Sequence, residues 1–138
     1  MPGTLTVRLA NRLDELQRLD TALSEFNRVE NLSPDVVMQI QLALEELFTN
    51  IVSYGYDDDE KHEVEIRIAC RDNSLTIDMF DDGKQFDPLA ERDAVDMDQP
   101  LEDIQIGGHG INLVKAFMNE LTYNYTDGRN HLSMARHL

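Results

Sequence analysis

The segments HEVEIRIACR (62–71) and LTIDMFD (76 is its Thr, 75–81 its span) alternate apolar and polar side chains on either side of Asp72-Asn73-Ser74. Period-two alternation flanking a turn signal predicts a β-hairpin with one oily face, and such a face must be covered. His62, Val64, Ile66, Ile68 and Cys70 share one face of the first strand, while Glu63, Glu65, Arg67 and Arg71 share the other. On the returning strand Leu75, Ile77 and Met79 point one way, and Asp81 follows in the same phase. An acid is thereby aimed at the side that is otherwise buried.

Helical spacings supply the cover. After an alternating start at Leu5, Val7 and Leu9, the positions Leu13, Leu16, Leu19, Leu23 and Phe26 recur every three or four residues. Ser33 and Pro34 form a helix-start signal, predicting a second helix to about Tyr54, stopped by Gly55. Gly107-Gly108-His109-Gly110 precedes a third helix, Ile111 to Asn119. A closing hairpin follows: Leu121 to Thr126, the turn Asp127-Gly128-Arg129-Asn130, and His131 to His137. The order βααββ, long loop, αββ predicts an α+β two-layer sandwich, with helices on one face of a mixed, mostly antiparallel sheet. A chain of 138 residues fits a single domain, 1–138.

Twelve Lys and Arg against 27 Asp and Glu leave a formal charge of −15. That field repels phosphate backbones and anionic lipid, so direct nucleic-acid binding and membrane binding are not expected; a protein partner with a basic face is. The single Cys70 has no internal disulfide partner, and the N-terminal residues lack the apolar core of a signal peptide. A cytoplasmic protein is expected.

Three places could carry chemistry. On the second helix Gln39, Ala43, Glu46 and Asn50 form a stripe beside the apolar one of Val36, Ile40, Leu44, Leu47 and Ile51. The stripe is either a solvated helix edge or a carboxylate and a carboxamide jointly holding a cation such as Mg²⁺, which takes one or two protein oxygens plus phosphate. In FDDGKQFDP (80–88), Asp81 ends a strand toward the core, Gly83 permits close backbone approach or positive φ, and Phe86 offers an aromatic wall. That segment is either an ordinary Asp-Gly turn or a base-binding turn in which a buried carboxylate meets an exocyclic amine. In GGHGIN (107–112), glycine N–H groups and a helix N-terminus could cradle phosphate, or the glycines could be a hinge.

In this order, with a long loop between the second and third, the three segments resemble the nucleotide boxes of the GHKL (Bergerat-fold) ATPases. The similarity is greatest to the small anti-sigma-factor serine/threonine kinases and covers residues 5 to 138. EELFTNIVSYGY resembles the N box, which implies that Asn50 coordinates Mg²⁺ and Glu46 is the catalytic base, with Glu45 its neighbouring alternative. FDDGKQFDP resembles the first glycine box, placing the adenine amine on Asp81 and the base against Gly83 and Phe86. GGHGIN resembles the second, placing Gly108, His109, Gly110 and the turn from Ile111 beside the phosphates. Residues 88–107 would form the lid. The chain departs at Gln85, where the wider superfamily has a second glycine, and in the closing hairpin. There a Thr often supports the adenine Asp through water, and Asn130 and Ser133 stand nearby without a clean match.

The resemblance implies ATP and Mg²⁺ as cofactors, and a homodimer that phosphorylates an anti-anti-sigma (STAS-type) protein and sequesters a sigma factor by partner switching. The alternative is a non-catalytic, nucleotide-dependent binding module of the same fold, which would not need Glu46.

Overall fold

A computed structural model describes residues 3–58, 60–89 and 110–138. Strand β1 (Thr4–Ala10) leads through a 3₁₀ turn (Leu13–Glu15) into α1 (Leu16–Glu30), then α2 (Pro34–Tyr54), β2 (Glu63–Arg71), β3 (Ser74–Asp81), α3 (Gly110–Phe117), β4 (Glu120–Thr126) and β5 (Arg129–His137). The strands pair antiparallel in the order β1-β2-β3-β5-β4. The molecule is an α+β two-layer sandwich, and each described pairing in its sheet is antiparallel.

Local chemistry sets the element ends. Helix α1 stops at Asn31, which takes the left-handed conformation (φ 54°) while Leu32 N–H bonds back to the Asn27 carbonyl. Ser33 caps α2 by accepting from Val36 N–H at 3.3 Å, and Pro34 occupies the first turn, where its missing donor costs nothing. Both hairpins turn on two residues with positive φ, Asp72-Asn73 and Asp127-Gly128, the twist that suits paired strands. Strand β5 therefore begins at Arg129, earlier than the sequence pattern suggests, and Asn130 enters the ladder opposite Asp81. Gly55 also differs from expectation. It ends α2 in the right-handed region (φ −81°), and its small size is required because a Cβ would sit 2.6 Å from the Ile51 carbonyl oxygen.

The core lies between the sheet's inner face (Leu9, Val64, Ile66, Ile77, Met79, Met134) and the buried sides of the helices. From α2 come Ile40, Ala43, Leu44, Leu47 and Phe48, with Leu19 and Leu23 from α1 and Val114 from α3. The outer face is polar: Glu65 lies between Arg8 and Arg67, and His131 stacks on Phe80 while bonding Asp78. No helix among the described residues is long and apolar enough to cross a membrane.

Phe48 is fully buried at the centre of α2. Phe48→Ala is expected to cost about 3–5 kcal/mol. The check is urea unfolding, where the midpoint should fall with little change in slope.

Candidate functional site

The inner face of the sheet ends in a row of different character. Val64, Asp81 and Asn130 are cross-strand neighbours on β2, β3 and β5, and one step further into the sheet the same rows carry Ile66, Met79 and Leu132. Asp81 is only 8% exposed and Asn130 only 7%. The side-chain amide of Asn130 donates to Asp81 Oδ1 at 3.0 Å, and the Gly83 N–H donates to the same oxygen at 3.0 Å. Burial pushes the Asp81 carboxyl above its ordinary pKa, and these two donors pull against that rise.

Asn130 is also bonded at its other positions. Its NH₂ reaches the carbonyls of Lys84 (2.8 Å) and Gly83 (3.4 Å), while its oxygen accepts from Phe86 N–H (3.1 Å) and the Tyr123 hydroxyl. Two carbonyl acceptors on one side and an amide donor on the other fix which way the carboxamide points. One side chain thereby shapes the whole turn from Asp81 to Phe86. The sequence alone offers no clean match for the support of Asp81. Asn130 provides that support, and the available signal was a positive-φ Asp-Gly turn that puts it two residues into the hairpin.

The turn is also joined to the end of α2. A Cβ on Gly83 would lie 2.6 Å from the Gly55 carbonyl oxygen and 3.0 Å from Asp81 Oδ1, so glycine is needed for close approach and not for positive φ. The Lys84 N–H donates to that Gly55 carbonyl at 2.8 Å, and Lys84 Nζ pairs with Asp57 at 3.0 Å. Tyr56, next after Gly55, donates to Asp82 at 3.2 Å. Asn50 lies four residues before Tyr54, about 6 Å along the helix axis. The C-terminal turns of α2 are thus held against the Asp81 turn.

Glu46 and Asn50 are both half-buried, with fully buried Ala43 on the same stripe. The stripe is therefore not a freely solvated edge. Glu45 faces elsewhere. It accepts from Gln41 at 3.3 Å, and its pKa is raised first by burial and then by Asp20 of α1. Phe86 is half-exposed, with its backbone fixed by Asn130. Gly110 opens α3, and Ile111 is buried in the core, so its side chain packs the helix against α2. Gly108 and His109 lie outside the described residues, as does nearly all of the expected lid, 88–107. A cavity of about 660 Å³ lies elsewhere, between edge strand β1 and α1 beside Arg8, Arg12 and Arg18.

The family described as histidine kinase-like ATPase domain matches residues 9–136. A serine/threonine-protein kinase, BtrW, from Bordetella bronchiseptica is 29% identical over 98 residues, covering 71% of this chain and 68% of the relative. A serine-protein kinase, RsbW, from Oceanobacillus iheyensis is 27% identical, over 67% of this chain and 60% of its own. The RsbW of Listeria monocytogenes is 21% identical over 93% of this chain and 83% of its own. Among solved structures, the RsbU and RsbW domains of Rv1364c from Mycobacterium tuberculosis superpose with a TM-score of 0.67 at 16% identity. That match covers 98% of this chain and 32% of the mycobacterial one. A histidine kinase domain from Erythrobacter litoralis gives 0.56 at 18%, over 91% of this chain and 60% of its own. With its buried strand-end carboxylate, its α2 stripe and a family match running almost end to end, the chain belongs to the histidine kinase-like ATPase domain family.

Proposed function

We propose that this protein is a Mg·ATP-dependent serine/threonine kinase that phosphorylates an anti-anti-sigma protein and, in alternation, sequesters a sigma factor. The observation that carries the reading is Asp81, a buried carboxylate whose two donors converge on Oδ1. Its second oxygen, Oδ2, is the natural acceptor for an exocyclic amine, and the glycine at 83 lets the turn that carries this acid close onto the end of α2. The serine-kinase names of the relatives favour hydroxyl transfer.

The residues fit ATP and Mg²⁺ in chemistry. Asn50 offers a carboxamide oxygen, a ligand type that Mg²⁺ accepts, and the bound ion would neutralise phosphate charge that a chain of −15 otherwise repels. Asp81 selects and orients the base. Glu46, one turn before Asn50, orients the incoming hydroxyl and takes its proton. Its neighbour Glu45 is turned toward Asp20, which favours Glu46 for that role. Orientation is the larger part of its contribution, since a carboxylate is a weak base toward an alcohol.

The decisive experiment offers Mg·ATP labelled at the γ-phosphate to candidate antagonist proteins. Label should reach a Ser or Thr, and Glu46→Ala should slow transfer by about 10²–10⁴-fold while Mg·ATP still binds. Tight binding without transfer to any candidate would instead mark a non-catalytic binding module.

Asp81 and Asn130 separate binding from folding. In Asp81→Asn the amide oxygen can keep both donors, and a buried carboxyl of raised pKa, which costs stability above its ordinary range, is removed. Stability at pH 7 should hold or rise while Mg·ATP affinity falls by about 10- to 100-fold. Asn130→Ala leaves buried groups unpaired and should lower both, with about 1–3 kcal/mol lost from stability. Calorimetric titration and thermal unfolding of the two variants check the contrast.

A further inference from the structure

His62 lies just before β2 and is not part of the site proposed above, yet both of its ring nitrogens are engaged beside it. Its Nε2 is 2.8 Å from Asp58 Oδ1 and its Nδ1 is 3.1 Å from Asp82 Oδ2. The ring stacks on Tyr56 with centroids 4.3 Å apart, and Tyr56 donates to the other oxygen of Asp82. The His62 backbone is fixed in turn, its N–H donating to the Asn11 side chain and its carbonyl accepting from the Asn11 N–H.

Both ring nitrogens face carboxylate oxygens, which can only accept when ionised. A neutral imidazole has one N–H and one lone pair, so it can satisfy one of these contacts while presenting its lone pair to the other. Holding both requires the doubly protonated ring. The surroundings favour it: Asp58 and Asp82 both touch the ring, and a Glu60 carboxylate oxygen lies within 4.8 Å of the Asp58 carboxylate and a His62 ring nitrogen. The nearby cation Lys84 is paired with Asp57. Asp81 lies behind Tyr56 and contributes negative charge there.

Asp82 stands between Asp81 and Gly83, so whatever holds it also holds the base-binding turn. The contacts form a closed ring: Gly55 to Tyr56 along the chain, Tyr56 and His62 to Asp82, Asp82 through Gly83 to Lys84, and Lys84 N–H back to the Gly55 carbonyl. We propose that His62 is a proton-dependent positioning residue, whose imidazolium form ties the Asp81–Gly83 turn to the end of α2 and so strengthens adenine-nucleotide binding. The inference rests on the reading of Asp81 as the base-binding acid.

The direction follows from the groups in contact. The two carboxylate partners raise the His62 pKa above the ordinary 6.5. The tie is therefore complete below 6.5 and is lost as pH rises through the elevated value, when one of the two bonds must break.

The experiment is Mg·ATP titration of the whole protein from pH 6 to 9, with Mg²⁺ in excess, for wild type and His62→Gln. Wild-type affinity should weaken by roughly five- to tenfold through a transition above pH 6.5, while His62→Gln stays near the weak level once the ligand's own titration, common to both, is divided out. A second measurement needs no nucleotide: the His62 ring protons followed by NMR should titrate above 6.5, and lower in Asp82→Asn. Equal pH dependence in wild type and His62→Gln, or a ring titrating at or below 6.5, overturns the inference and leaves the nucleotide reading intact. Failure of the wild type to bind Mg·ATP at any pH overturns both.

Discussion

A carboxylate at the end of a central strand, out of water and facing the core, is unfavourable until donors reach it, and here two do so on one oxygen. Asp81 and Asn130 are direct partners across β3 and β5, so the contact is also a register lock. A slip of one residue would turn Asn130 outward and bring an Arg or a His opposite the acid. The same carboxamide fixes Gly83, Lys84 and Phe86, which brings the turn against Gly55 and aligns the end of α2 with the sheet. Remove the pair and, among the described residues, the link from β3 to α2 rests on the Lys84–Gly55 backbone bond and the exposed Tyr56–Asp82 contact.

The layers of the fold were legible in the sequence because each rests on a period. Alternation in β2 and β3 follows from one-sided burial, the three-to-four spacing of Leu16, Leu19, Leu23 and Phe26 from a helix lying on that face, and Ser33-Pro34 from cap chemistry. Asp81 was legible too, since its phase with Leu75, Ile77 and Met79 sends it inward, and it is buried. Asn130 was not. In DGRN every residue is a plausible turn residue, and only the two-residue turn at Asp127-Gly128, with both φ values positive, assigns it to the strand. Its partner lies 49 residues away in the chain, and no local pattern encodes that distance. His62 was legible as a position in alternation but not as a stack on Tyr56, for the same reason.

The large negative charge also takes on structure. Among the described residues few acids are buried, and those that are have specific partners. Glu65 lies between two arginines, and Glu15 accepts from the Ala10 N–H and from Arg18, which hold its carboxyl below the usual range. The other described acids are mostly exposed or half-buried, where water screens them and each is worth little to stability. Asp81 differs in kind: its donors are neutral amides, so its charge is stabilised by hydrogen bonds without being cancelled. Such a group keeps a reason to attract a further donor, whereas an acid already paired with arginine has little.

The adjacent acids of α2 make the same point about direction. Successive helical residues are turned by about 100°, so Glu45 and Glu46 cannot share a neighbourhood. Glu45 is turned toward α1, where burial first and Asp20 second raise its carboxyl above the ordinary range. Glu46 lies on the stripe of Ala43 and Asn50, one turn from the amide proposed to hold the metal. Composition treats the two residues as equivalent; the helix gives one to the packing of α1 on α2 and leaves the other on the stripe proposed to carry the chemistry.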